Sequence, residues 1–211
     1  MIKKKYDVVI LDVDGTVWDS TPLVAKAWTK AAAECGVNKE ITPDMLKNLF
    51  GKTMHEIADA LMPDATEELK EKVMYACVDE EERALQENEK DITYPGVAET
   101  IEVLSKQIPV CVVSNCQKGY IELFMNKANV EEYISDFECY GNTGKGKAEN
   151  LRLLIERNGY KNPVYVGDTI MDEEACRVAG VPFIYASYGF GEAKQPVFTI
   201  DSFKNLVNIL N

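Results

Sequence analysis

Tyr6-Asp7-Val8-Val9-Ile10-Leu11-Asp12-Val13-Asp14-Gly15-Thr16, near the start of a 211-residue chain, decides the reading. Apart from Asp7, the run to Leu11 is apolar and mostly β-branched, and it stops at an acidic turn sequence. A short apolar run bounded by a turn signal predicts a strand buried on both faces, as in a parallel sheet. Taken alone, Asp14-Gly15 would be a plain turn. An acidic pair ending a buried strand is less ordinary, because an unpaired buried carboxylate is costly.

Outward from this stretch the chain falls into two patterns. Residues 17–90 carry helical spacing only. Val24, Ala27, Trp28, Ala31 and Cys35 recur at a 3.6 period behind Pro22, and Thr42-Pro43 opens a second segment. Thr53 caps a third, and Leu69, Val73, Cys77, Ala84 and Leu85 mark a long fourth. Its acidic run Asp79-Glu80-Glu81-Glu82 reads as a solvated face. Residues 91–211 alternate instead. Strands are predicted at 108–113, 137–140, 164–166 and 183–186, and helices at 97–104, 120–128, 148–157, 172–179 and 202–210. That βαβ rhythm predicts a parallel sheet with helices on both faces, whose ligand crevice lies beyond the carboxyl ends of the strands.

Composition narrows the function. The formal net charge is −12, which argues against nucleic-acid backbones and anionic membranes as partners. Hydrophobic residues at 46% and charged residues at 27% fit a folded globular protein. The apolar run at 8–11 is too short for a signal peptide, and no stretch approaches a membrane span. Cys35, Cys77, Cys111, Cys116, Cys139 and Cys176 form no CxxC pair, and the lone histidine, His55, is near none of them. Zinc is therefore disfavoured, and reduced thiols in a cytoplasmic protein are expected.

The predicted strand ends carry a coherent set. The first ends in Asp12, Asp14 and Thr16, and the second in Ser114-Asn115. The strand at 164–166 runs into Gly167-Asp168-Thr169, with Asp172 four residues after Asp168. The loop Gly144-Lys145-Gly146-Lys147 precedes the helix at 148. Carboxylates, a hydroxyl and a lysine on one sheet edge suit phosphoryl transfer. Carboxylates hold a hard cation such as Mg²⁺, one of them acts as nucleophile, and a lysine offsets negative charge. The bland alternatives are a cap for the next helix at Ser114-Asn115 and solvated loop lysines at 145 and 147.

Asp12-Val13-Asp14-Gly15-Thr16-Val17 resembles the DxDGT motif of haloacid dehalogenase-like (HAD) phosphatases. Val113-Ser114-Asn115 is similar to the family's second motif, and Gly167-Asp168-Thr169-Ile170-Met171-Asp172 to its GDxxxD motif. Tyr94-Pro95-Gly96-Val97 resembles the stretch where the chain re-enters the core. The resemblance covers essentially the whole chain. It implies a Rossmann-like α/β core, residues 1–16 and 91–211, and a small all-helical C1 cap at 17–90 that opens to admit substrate and closes over it. It implies Asp12 as nucleophile and metal ligand, and Asp14 as general acid/base whose carbonyl also ligates metal. Asp168 becomes the third Mg²⁺ ligand, supported by Asp172. Thr16 orients the Asp14 region and counts with Ser114, Asn115 and a lysine among the substrate-binding residues.

Many relatives place Lys-Pro-x-Pro before the helix that precedes the GDxxxD motif. Counting back from Glu156-Arg157-Asn158-Gly159 puts Lys145 on the motif lysine, with Lys147 two residues away as the alternative. The expected activity is Mg²⁺-dependent hydrolysis of a small phosphomonoester through an aspartyl-phosphate, resembling phosphoglycolate phosphatases, by a monomer or weak homodimer. The alternatives are a β-phosphoglucomutase-like phosphomutase and a catalytically silent binding module on the same fold. Dehalogenases of the family lack the second aspartate, here Asp14. In the helical stretch, Lys52 of Gly51-Lys52-Thr53 could meet an anionic substrate, and His55 reads as an ordinary residue. Trp28 reads as core. Trp18 either lines the cleft or packs at a hinge.

Overall fold

A computed structural model describes residues 5–210. The basic start at 1–4, on which the signal-peptide argument partly rests, lies outside them, as does residue 211. Two compact units are present, residues 5–19 with 91–210, and residues 20–90.

The first unit is a six-stranded, all-parallel sheet. Its strands are β1 (Val8–Leu11), β2 (Val110–Ser114), β3 (Ile134–Cys139), β4 (Pro163–Gly167), β5 (Phe183–Ala186) and β6 (Phe198–Ile200). They lie in the order β3-β2-β1-β4-β5-β6. β1 is central and wholly buried, with Leu11 beside Val112 on one side and Val166 on the other. The order reverses between β1 and β4, so this sheet opens its crevice where those two strands end.

Helices connect the strands. In the second unit, residues 20–90, they are α1 (Thr21–Glu34), α2 (Pro43–Lys47), α3 (Met54–Leu61) and α4 (Glu67–Glu87). In the first unit they are α5 (Val97–Ser105), α6 (Tyr120–Ala128), α7 (Tyr140–Thr143), α8 (Lys147–Asn158), α9 (Ile170–Ala179) and α10 (Leu206–Leu210). Leu151 and Leu154 of α8 and Cys176 of α9 pack with Ile10, Val113 and Tyr165 on one sheet face. Alternation along buried strands supplies the other face to α5. All six cysteines are free, with Cys77, Cys111, Cys139 and Cys176 buried. Among the described residues no helix is long and apolar enough to cross a membrane.

Several elements differ from the sequence reading, three of them in ways that bear on packing. β3 begins at Ile134 rather than 137, because its outer half is polar. That half is held by Arg157, which bonds Asp136 at 2.8 Å and Glu138 at 2.6 Å. β6 has no counterpart in the prediction, being three residues long with Phe198 and Thr199 exposed. The acidic run of α4 is not uniformly solvated. Glu81 is buried and accepts a 2.6 Å hydrogen bond from the Trp28 indole, since it shares a helix face with Cys77 and Leu85, four residues either way. Thr53 does cap α3, in a reciprocal arrangement with Glu56.

Candidate active site

The first unit extends past the acidic motif to Asp19 because the turn after β1 folds back on itself. The Asp12 amide donates to Val166 O at 2.9 Å, which carries the strand pairing one residue beyond Leu11. Gly15 N donates to Trp18 O at 2.9 Å, and Trp18 bridges antiparallel to Thr93. Gly15 takes φ +78°, a left-handed conformation open to glycine. A Cβ there would lie 2.0 Å from Asp168 Oδ2, so the turn also needs glycine for room. Gly189 fills the same requirement from the other side, its Cβ position being 2.5 Å from Gly15 O.

Asp12, Asp168 and Asp172 are brought together, each with a carboxylate oxygen within 4.8 Å of the others, and all three are buried. Asp168 Oδ2 accepts from Phe190 N at 2.7 Å, and its Oδ1 from Thr16 Oγ1 at 3.4 Å. Asp172 serves the start of α9. Its Oδ2 accepts from Thr169 Oγ1 at 2.6 Å and Thr169 N at 3.0 Å, closing a capping box. Its Oδ1 is bonded by Lys147 Nζ. Lys147 Nζ also stands 3.0 Å from Asp12 Oδ1. That contact is an ion pair without hydrogen-bond alignment, since Asp12 Oδ1 is buried with no hydrogen-bond donor.

The charge balance explains the titration. Burial raises the Asp12 carboxyl to about 6, against the lowering effect of Lys147. Burial, then the charges of Asp172 and Asp12, push Asp168 well above the usual carboxylate range. Burial alone would lower the Lys147 ammonium, but Asp12 and Asp172 outweigh it and the net direction is up. One cation therefore faces three acids, and positive charge is lacking. A buried oxygen on Asp12 whose close partner is the Lys147 ammonium, an adjacent carboxylate on Asp168 and hard oxygen donors throughout fit a divalent cation such as Mg²⁺.

The two candidate lysines are placed differently. Lys145 is exposed, and only its main chain is engaged, with Thr143 Oγ1 and Asn150 Nδ2. α8 begins at Lys147, one residue before the predicted start, after Gly144 turns the chain at φ +67°. That turn and the earlier start bring the second lysine inward. Thr16 is fully buried, its hydroxyl meets Asp168 and its carbonyl accepts from Tyr188 at 2.8 Å. Ser114 ends β2 and is buried beside this edge, with Asn115 half-buried after it. Neither caps α6, whose N-cap is Gly119 in a left-handed conformation.

Asp14 turns to a different set of partners. Its Oδ1 accepts from Trp18 Nε1 at 3.1 Å and from Tyr120 OH at 2.8 Å. Trp18 therefore packs inside the first unit, its ring edge-on to Tyr120 and Phe124, both at 5.4 Å. Sequence reasoning did not reach Tyr120, Tyr188 or Phe190, whose partners lie far away along the chain. In the second unit, His55, Asp59 and Glu67 cluster on the surface, and Lys70 already pairs with both acids.

The family model described as haloacid dehalogenase-like hydrolase matches residues 9–186. A phosphoglycolate phosphatase of Agrobacterium fabrum is 28% identical over 216 residues, covering 96% of this chain and 91% of that protein. A phosphorylated carbohydrates phosphatase of Thermotoga maritima is 28% identical over 190 residues, covering 85% and 84%. A haloacid dehalogenase-like family hydrolase from Streptococcus pneumoniae superposes with a TM-score of 0.84 at 15% identity, covering 98% and 99%.

Proposed function

The chain belongs to the haloacid dehalogenase-like hydrolase family, and from that premise we propose that it hydrolyses a small phosphomonoester, a sugar phosphate or phosphoglycolate-like acid, with Asp12 as nucleophile. The observation that carries the reading is the buried Asp12 carboxylate, paired with Lys147 at 3.0 Å and grouped with Asp168 and Asp172 where β1 and β4 end. The likeness to phosphatases of small phosphorylated compounds supports the substrate class. A divalent ion held by Asp12, Asp168 and the Asp14 carbonyl would balance charge on the phosphate oxygens.

In the proposed course, Asp12 Oδ attacks phosphorus and the P–O bond to the alcohol breaks. The Asp14 carboxylic acid gives its proton to the departing oxygen. Asp14 then accepts a proton from water as that water attacks the phosphoryl group on Asp12 and frees the carboxylate. Ser114 donates to a phosphoryl oxygen, and Lys147 keeps Asp12 ionised and offsets phosphate charge. Asn115 helps to hold the substrate. Residues 20–90 serve as the family's cap domain, and the protein acts in the cytoplasm as a monomer or weak homodimer.

A phosphate-release screen across small phosphate esters, with and without Mg²⁺, tests the reading. Mg²⁺-dependent turnover that Asp12→Asn abolishes, with the variant still folded, is expected. Turnover retained in Asp12→Asn overturns it. Exchange of phosphate between sugar positions without net release would assign the mutase alternative.

A further inference from the structure

Asp14 Oδ1 receives two donors, the Trp18 indole at 3.1 Å and the Tyr120 phenol at 2.8 Å. The donors come from two separate segments of the first unit. Trp18 lies on the turn that follows β1, its backbone bridged to both Asp14 and Thr93. Tyr120 is the first residue of α6, directly after Gly119 at φ +91°. Both donor residues are buried, and each holds the other. Their rings meet edge-on at 5.4 Å, and Phe124, one helical turn after Tyr120, closes on Trp18 at the same distance. A carboxylate three residues beyond a strand end is otherwise free to change rotamer, because nothing in the strand ladder fixes its side chain. Here the indole and the phenol are rigid, and a buried N–H or O–H loses a partner if Asp14 turns away.

We propose that Trp18 and Tyr120 are the positioning residues that orient the Asp14 carboxyl for proton transfer. The inference rests on the reading of Asp14 as general acid and base. Two rigid donors on one oxygen fix the plane of the carboxyl group. In the first step the Asp14 proton moves to the leaving oxygen as its bond to phosphorus breaks. In the second, Asp14 takes the proton of the attacking water. Oδ1 stays on its two donors, so the carboxyl does not reorient between the steps.

Tyr120→Phe keeps its ring and deletes only the donor, whereas Trp18→Phe deletes the indole N–H together with part of a buried ring system. Single-turnover release of the leaving group separates positioning from packing, because an alkyl phosphate needs a proton on its leaving oxygen and p-nitrophenyl phosphate does not. Each variant is expected to release the alcohol about tenfold or more slowly, with p-nitrophenolate release slowed less than about threefold and KM unchanged. Equal losses on both esters, or none on either, overturn the proposal. The indole N–H resonances, of which a two-tryptophan chain shows few, give a readout without turnover. The resonance that disappears in Trp18→Phe must shift in Asp14→Ala, and a resonance indifferent to that change also overturns the proposal. If the wild-type protein hydrolyses no ester, the phosphatase reading fails, and the resonance still decides whether Trp18 holds Asp14.

Discussion

Lys147 and Asp12 form an ion pair, Nζ to Oδ1 3.0 Å, with each side chain only 4% exposed. A pair so enclosed is far more sensitive to loss of one member than a surface bridge, because the survivor is left charged and dry. Lys147→Ala is expected to lower kcat by about a hundredfold or more. It should also cost about 3–5 kcal/mol of stability. Lys145→Ala, which removes only an exposed side chain, should leave both kcat and the urea midpoint unchanged. A larger kcat loss at Lys145 than at Lys147 would reverse the assignment.

The acid cluster ties stability to pH and to metal. In the folded protein burial raises Asp12 to about 6 from an ordinary 3.8, and Asp168 also moves up. Between about pH 4 and 6 the metal-free fold therefore keeps protons that the unfolded chain has released, so its stability falls as pH rises through that window. Thermal melts in chelator should show this decline, shallower in Asp12→Asn. Mg²⁺ should restore Tm more at pH 7 than at pH 5. An equal Mg²⁺ effect at both pH values would count against a cation among these acids.

Gly15→Ala meets two obstacles at once, a φ of +78° and Asp168 Oδ2 at 2.0 Å. The conformational strain alone is about 1–3 kcal/mol. Displacement of Asp168 should in addition raise the Mg²⁺ concentration needed for half-maximal activity. Gly36→Ala is the matched control, at φ +87° with nothing within 4 Å of the added Cβ. It should lose stability and leave the Mg²⁺ titration where it was.

Within the helical unit, Glu81→Ala leaves the buried Trp28 N–H without its 2.6 Å acceptor. Loss of about 1–3 kcal/mol is expected, read by urea unfolding followed through tryptophan emission. Glu82→Ala, next along the chain and exposed, should stay within about 0.5 kcal/mol of wild type. Equal effects would mean that Glu81 is solvated after all.

The sheet and the polar residues at its edge were readable for one reason. β1, β2 and β4 are buried on both faces, so their apolar runs are uninterrupted and the polar residues that follow stand out. Asp12, Ser114 and Asp168 are those residues. β3 escaped in part because an edge strand carries charge: Asp136 and Glu138 break the apolar run, and their partner Arg157 lies on α8. A motif count favoured Lys145 because it assumes a fixed loop, whereas Gly144 turns this one and starts α8 at Lys147, the lysine that meets Asp12. Glu81 shows the same limit on a helix, where a run of like residues hides which one faces inward. Tyr120 could not be found from pattern, since its bond to Asp14 spans 106 positions of sequence.

The chain's exit from the first unit and its return are stitched together by the Trp18–Thr93 bridge and by the Asp19 amide, which donates to Ile92 O at 2.9 Å. Exit and re-entry are thus neighbours, as at a grafting point. A short turn in place of residues 20–90 would splice the sheet's connectivity without stretching it, and an unrelated insert could be exchanged at the same seam. The helical unit and the sheet are in that sense separately inheritable in this architecture.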